Sequence, residues 1–323
     1  MNTFKRPISS LQLPSQQLSA LTRAGYTTID DLKASTPEQL AEDLNLPVEA
    51  TQSILSATQK RKQPTQLTQS AASLLSTRPT KYTTFSKPLD SLLGGGLSKG
   101  SVLEISGPPG TAKESLAENI TRSFLEAGHG VLFVDMQNMT SAARLREAIH
   151  SSSVLSSEHD HLVHYLNAFT LPDLMVFMNQ LPGYLKTYTN IGLLVLNSLW
   201  FPFQTPTALT HSTRNSILKR IQETLSKACA LSGIAVVTTT QLATKLVKAD
   251  GTSANFDTGS RAILMPQPAP SYLPSGRSFR VLIVPQDRTS GVLRLLGAPT
   301  HVQSRSSQAS REEPYELVAG KIQ

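Results

Sequence analysis

The chain of 323 residues has a single cysteine, Cys229, which excludes an intrachain disulfide framework and a cysteine-rich zinc site. That usage predicts a reducing, intracellular setting. Charged residues are only 16% of the chain, too few for a long coiled coil or a fully disordered polyampholyte. No run of 18 apolar residues occurs, so no membrane-spanning helix is expected. Met1-Asn2-Thr3-Phe4-Lys5-Arg6 is not followed by an apolar segment, which argues against a secretory signal. The seven histidines show no metal-ligand spacing. What remains is a mildly basic chain of net charge +7, long enough for about two domains.

Residues 1–59 predict a small helical unit. Leu18, Leu21, Ile29, Leu32, Leu40, Leu44, Ile54 and Leu55 recur at helical spacings. Gly25 is placed to end a first helix, and Thr36-Pro37-Glu38-Gln39 reads as an N-cap followed by a helix start. Residues 60–84 are rich in Lys, Gln, Ser, Thr and Pro and predict a linker. Within it Ala71, Ala72, Leu74 and Leu75 form a short apolar island, either a stray helical turn or a tether that docks on another subunit.

From 85 to 300 the pattern is α/β. Buried strands at Ser101–Ser106, Gly130–Asp135, Ile191–Leu196 and Gly233–Thr238 alternate with helices, which predicts βαβ units and a mostly parallel sheet. After 260 the strands follow one another directly, suggesting antiparallel additions at the sheet edge. Residues 301–323 are polar and predict a disordered tail.

Gly107-Pro108-Pro109-Gly110-Thr111-Ala112-Lys113-Glu114 follows a strand and opens a helix, the context of a Walker A phosphate loop. Backbone N–H groups would face the phosphates, and Lys113 would neutralise β/γ oxygens. Two positions depart from the pattern. Ala112 stands where glycine precedes the lysine, and a left-handed conformation there would cost about 1–2 kcal/mol. Glu114 stands where a hydroxyl ligates Mg²⁺, and Ser115 is rotated about 100° away from that position. Asn197 follows the fourth strand, where an Asp usually holds the Mg²⁺ water shell. Gln137, beyond Asp135, cannot act as a general base at neutral pH.

These motifs resemble the RecA/RadA-type recombinases, and specifically their eukaryotic paralogues, over about residues 11–295. The most specific match is Phe85-Ser86-Lys87-Pro88-Leu89-Asp90-Ser91-Leu92-Leu93-Gly94-Gly95-Gly96-Leu97-Ser98-Lys99-Gly100, which is similar to the family's entry into its ATPase core. Asp135-Met136-Gln137 aligns with a "D-x-E" whose Glu is the catalytic base. Asn197 aligns with the Walker B Asp, and Gln241 with a γ-phosphate-sensing glutamine. The resemblance implies a RecA-like core beside a helix-hairpin-helix-like domain. It implies ATP as the ligand of Gly107–Ser115, Asn197 and Gln241, with Mg²⁺ as its companion ion. It implies a recombinase and another paralogue as partners in a hetero-oligomer, single-stranded DNA, and a nuclear setting in homologous recombination. The hairpin turn Leu44-Asn45-Leu46-Pro47 lacks the family's glycine, which argues for packing or recruitment rather than DNA contact. The segment 70–75 sits at the family's tether but lacks its aromatic residue.

Between 201 and 248 six basic residues (Arg214, Lys219, Arg220, Lys227, Lys245, Lys248) face one acid, Glu223, giving +5 of the total +7. In the resembled family this stretch spans the two DNA-facing loops. Arg214, Lys219, Arg220, Lys245 and Lys248 are the candidate DNA contacts, with a solvated helix face as the alternative for Lys219 and Arg220. Trp200-Phe201-Pro202-Phe203 reads as an exposed aromatic cluster. The expected function is a mediator that assists a recombinase filament, binding ATP with little or no hydrolysis. A working DNA-dependent ATPase and a pure interaction module are the alternatives.

Overall fold

The computed structural model describes Ile8 and residues 13–33, 35–59, 80–204, 209–252, 254–259, 261–268, 270–299 and 311–323. The tether candidates Ala71, Ala72, Leu74 and Leu75 lie outside the described residues. The chain divides into two compact units, Met1–Arg78 and Pro79–Gln323.

In the first unit, helices α1 (Ser15–Arg23), α2 (Ile29–Lys33), α3 (Pro37–Leu44) and α4 (Val48–Gln59) bury Leu21, Leu32, Leu40 and Ile54 completely. Thr36 and Gln39 form a reciprocal capping box at the start of α3. Gly25 takes φ +88 after α1, as a helix stop requires. The turn without glycine is made by Asn45, whose φ of 51 and ψ of 46 place it in the left-handed region that asparagine tolerates.

The second unit is built on one ten-stranded sheet. Its elements, in chain order, are β1 (Lys81–Tyr82), α5 (Lys87–Leu92), β2 (Leu97–Ser98), β3 (Val102–Gly107), α6 (Lys113–Glu126), β4 (Gly130–Asp135), α7 (Ala142–His150), β5 (Val163–Asn167), α8 (Leu171–Thr187), β6 (Ile191–Asn197), α9 (His211–Lys227), β7 (Ala235–Val247), β8 (Arg261–Gln267), β9 (Ser278–Pro285), β10 (Ser290–Gly297), β11 (Glu312–Val318) and β12 (Lys321–Ile322). The small pair β1–β2 stands apart from the large sheet. The large sheet runs β12-β11-β10-β9-β3-β7-β6-β4-β5, with β8 paired to β7. From β9 to β5 every neighbouring pair is parallel.

Strand alternation assigns the two faces. Leu103, Ile105, Phe133, Val195 and Val237 pack with Leu116, Ile120 and Phe124 of α6 and with Leu145 and Ile149 of α7. Val102, Leu132, Val134, Leu194, Leu196 and Val236 pack on the other side with α8 and α9. Both faces are covered, which is why these strands read as unbroken apolar runs.

Three expectations are corrected. The core starts before residue 85, because Lys81 and Tyr82 pair with Ser98 and Leu97. Of the C-terminal strands, β8 and β10 pair antiparallel as expected, but β9 lies parallel to β3, Val102 opposite Ser278. The polar segment at the end of the chain is not a disordered tail over 311–323. Only every second residue of β11 needs to be apolar, so its sequence looks polar, yet Tyr315 and Ile322 are buried and Arg294 pairs with Glu312 at 2.6 Å. Tyr315→Ala should cost about 3–5 kcal/mol, as large aromatic truncations in cores do. Urea denaturation would check this, and a disordered tail would give no change.

Candidate nucleotide site

The candidate residues converge at the carboxyl ends of the central strands, where ligands of open α/β sheets bind. Gly107 ends β3 and pairs in register with Gln241 on β7. Asn197 ends β6 opposite Asp135, which ends β4. Sheet order β3-β7-β6-β4 therefore brings the phosphate loop, Gln241, Asn197 and the Asp135-Met136-Gln137 corner side by side.

The loop packs tightly. A Cβ on Gly107 would lie 2.8 Å from Thr111 Oγ1 and 3.2 Å from Ile283 Cβ, so a larger residue would force the Thr111 side chain and Ile283 to shift. Gly110 takes φ +80. Ala112 has φ −74 and ψ 32, so the missing glycine before Lys113 costs no left-handed strain. No side chain caps α6, leaving its first-turn amides to the loop. Lys113 is 2% exposed, and its Nζ donates to the Pro108 carbonyl (2.7 Å) and to Thr111 Oγ1 (3.1 Å). Burial lowers its pKa, and the nearby Glu114 carboxylate opposes that shift. A cation held against a carbonyl and a hydroxyl, below an uncapped helix end, fits a phosphate ligand.

The Mg²⁺ side of the site is different. Asn197 is fully buried. Its Nδ2 donates to Asp135 Oδ1 and Thr140 Oγ1 (3.4 Å each), and its Oδ1 accepts from Thr239 Oγ1 at 2.7 Å. Both ends of the amide are thus committed to protein. Asp135, also fully buried, further accepts from the backbone N–H of Gln137 (3.2 Å) and of Thr140 (3.1 Å). Glu118 is held by Arg144 at 3.1 Å, and burial raises its pKa against the pull of that guanidinium. Tyr165 donates to the Thr140 carbonyl at 3.0 Å, and burial, then Asp135, pushes its pKa up to about 12. Among the described residues no group of three His, Cys, Asp or Glu side chains could hold a metal ion. The residues fit phosphates and do not fit the family's Mg²⁺ shell. Gln137 Oε1 is buried with no hydrogen-bond partner among the described residues.

Thr140, Thr239, Glu118 and Arg144 were not legible as site residues. The one available signal was Thr238-Thr239-Thr240, three polar residues in a strand buried on both faces.

The basic stretch is only partly gathered. Arg214 lies in the first turn of α9 and stacks over the Phe203 ring at 5.5 Å. Lys219 is exposed further along the helix, and Arg220 donates to Asn179 Oδ1 of α8 at 3.1 Å. At 1.5 Å per residue, Arg220 sits about 9 Å along the axis from Arg214. Lys245 does not lie in a loop: it is exposed on β7, opposite Ile263 of β8. Lys248 is exposed at the turn that follows. The same hairpin presents Phe256, 95% exposed, which sequence reading missed. The aromatic cluster at 200–203 is corrected. Pro202 and Phe203 are buried, because the 3₁₀ turn Phe201–Phe203 folds back into the core beneath α8 and α9.

A family model described as Rad51 matches residues 77–262, more than half of the chain. The DNA repair and recombination protein RadA of Ignicoccus hospitalis is 26% identical over 254 residues, 74% of this chain and 77% of that protein. RadA of Aeropyrum pernix is 24% identical over 230 residues, 69% of this chain and 72% of that protein. The DNA repair protein rhp55 of Schizosaccharomyces pombe is 32% identical over 156 residues, 46% of this chain and 44% of that protein. With the parallel sheet, the phosphate loop and the in-register glutamine already in place, the chain belongs to the Rad51 family as a recombinase paralogue of the RecA/RadA superfamily.

Proposed function

We propose that this chain acts in DNA recombination repair as a mediator that holds nucleotide with little or no hydrolysis. It assists an active recombinase on single-stranded DNA, in a hetero-oligomer with that recombinase and another paralogue, in the nucleus. Gly107–Ser115 and Gln241 hold the nucleotide, with Lys113 as its cation. Lys245, Lys248 and Arg214 supply salt-sensitive phosphate contacts, and Phe256 a surface on which a base can stack.

The observation that carries this reading is a phosphate loop beside an Asn197 whose amide is spent on Asp135, Thr140 and Thr239. Hydrolysis in P-loop enzymes needs a positioned metal and a residue to orient water. Family kinship with rhp55 and RadA supports the repair setting.

With single-stranded DNA, ATP and Mg²⁺, the purified chain should turn over ATP negligibly. A rate equal to that of an active recombinase assayed alongside would overturn the claim. Affinity capture of the full chain should recover a recombinase or paralogue, and deletion of residues 60–78, which spares the β1 strand of the core, should weaken that recovery.

A further inference from the structure

The mismatch between a phosphate-binding loop and an absent metal shell has a consequence for which nucleotide is held. It rests on the proposed reading of Gly107–Ser115 as a nucleotide site. Every Cα–Cβ bond of a helix tilts toward its N-terminus. Glu114, the second residue of α6, therefore stands in the first turn directly after the loop, its Cα–Cβ bond tilted toward the loop end of the helix. It is close enough to act on Lys113 and on Glu118 one turn later.

On the α6 side of the loop, Lys113 and Glu114 interact, Glu114 acts on Glu118 in turn, and Asp135 lies buried at the end of β4. Arg144 is already paired with Glu118. Within the loop and α6, Lys113 is thus the cation left to meet the phosphates. In a P-loop the backbone amides serve the α/β-phosphates, while the lysine and the metal serve the β/γ side. A γ-phosphate would bring added negative charge to the side where Glu114 replaces the hydroxyl and where Asn197 cannot be recruited.

We propose that Glu114 makes this a metal-independent site selective for a nucleoside diphosphate over a triphosphate. The diphosphate keeps the amide cradle and Lys113, and it leaves out the one group that faces Glu114 without a counter-ion. The paralogue would then hold a post-hydrolysis nucleotide as a standing state rather than cycle through it.

Isothermal titration of the full chain with ADP and with ATP, each in EDTA and in Mg²⁺, tests this. ADP should bind at least about tenfold more tightly than ATP in EDTA, the scale of one like-charge contact near a protein surface. Mg²⁺ should leave ADP affinity nearly unchanged. Glu114→Gln, close in shape and without the charge, should recover ATP affinity by a similar factor and leave ADP binding in place. ATP binding as tightly as ADP in EDTA would overturn the proposal, as would wild-type ATP affinity rising about tenfold with Mg²⁺. If neither nucleotide binds, and Lys113→Ala changes nothing, the nucleotide-site reading itself falls and this inference with it. The wild-type comparison stands even if Glu114→Gln does not fold.

Discussion

Asn197→Asp is expected to destabilise the protein by about 2–4 kcal/mol at neutral pH, a penalty that fades as pH falls toward about 4. The substitution restores the acid usual at this strand end, yet here it sets an oxygen where the Nδ2 donor stands 3.4 Å from Asp135 Oδ1. Two carboxylates so close in a fully buried site cannot both ionise, so one takes up a proton and the pair's apparent pKa rises above the unfolded value. A raised folded pKa means the folded state binds more protons than the unfolded one. The variant is therefore least impaired below the unfolded carboxylate pKa of about 3.9 and loses stability as pH rises through the raised folded value. Urea unfolding across pH, with Asn197→Ala as the uncharged control, measures this. A deficit for Asn197→Asp that does not change with pH would refute it. The same argument explains why an amide suits this position: it donates to Asp135 where a second acid would repel.

Removal of the Glu104 carboxylate should have the largest effect on stability. Glu104 lies on β3 in the middle of the sheet and is fully buried. It accepts from Tyr272 Oη at 2.7 Å and Arg280 Nε at 2.8 Å, and Thr238 Oγ1 lies 3.1 Å from the same phenol. Burial and the Glu104 charge hold the Tyr272 phenol well above its usual pKa, so it remains a donor. Glu104→Ala would strand the Arg280 guanidinium and leave the Tyr272 phenol with Thr238 as its hydrogen-bond partner, at a cost of about 3–5 kcal/mol by denaturant midpoint. Glu104→Leu combined with Arg280→Met should recover much of the loss, because apolar side chains of similar volume replace buried ion pairs well. A double variant as unstable as the sum of its single changes would show that the charges themselves, rather than their pairing, hold the sheet.

Neither network was visible along the chain. Glu104 reads as one acid in an apolar strand, and its hydrogen-bond partners follow 168 and 176 residues later. Asn197 reads as a lost catalytic acid. Only the neighbouring strands reveal that its amide bridges Asp135 to Thr239. Ala112 shows the reverse error: the motif suggested a left-handed residue, and the backbone keeps a negative φ of −74 there. The strand at Glu312–Val318 escaped notice because a strand with one covered face alternates, and glutamates occupied two of its four open positions.

What the sequence determined by itself was local and periodic. The strand-to-helix loop at Gly107–Glu114, the βαβ rhythm, the N-cap at Thr36 and the departures from the family motif at Glu114, Gln137 and Asn197 are all read from residues a few positions apart. What the tertiary structure decided was which distant groups meet: Gly107 beside Gln241, Asn197 between Asp135 and Thr239, β9 alongside β3, and Arg220 on Asn179. Those contacts depend on strand order and register. Register is set by packing both sheet faces at once, a condition that no single stretch of sequence contains.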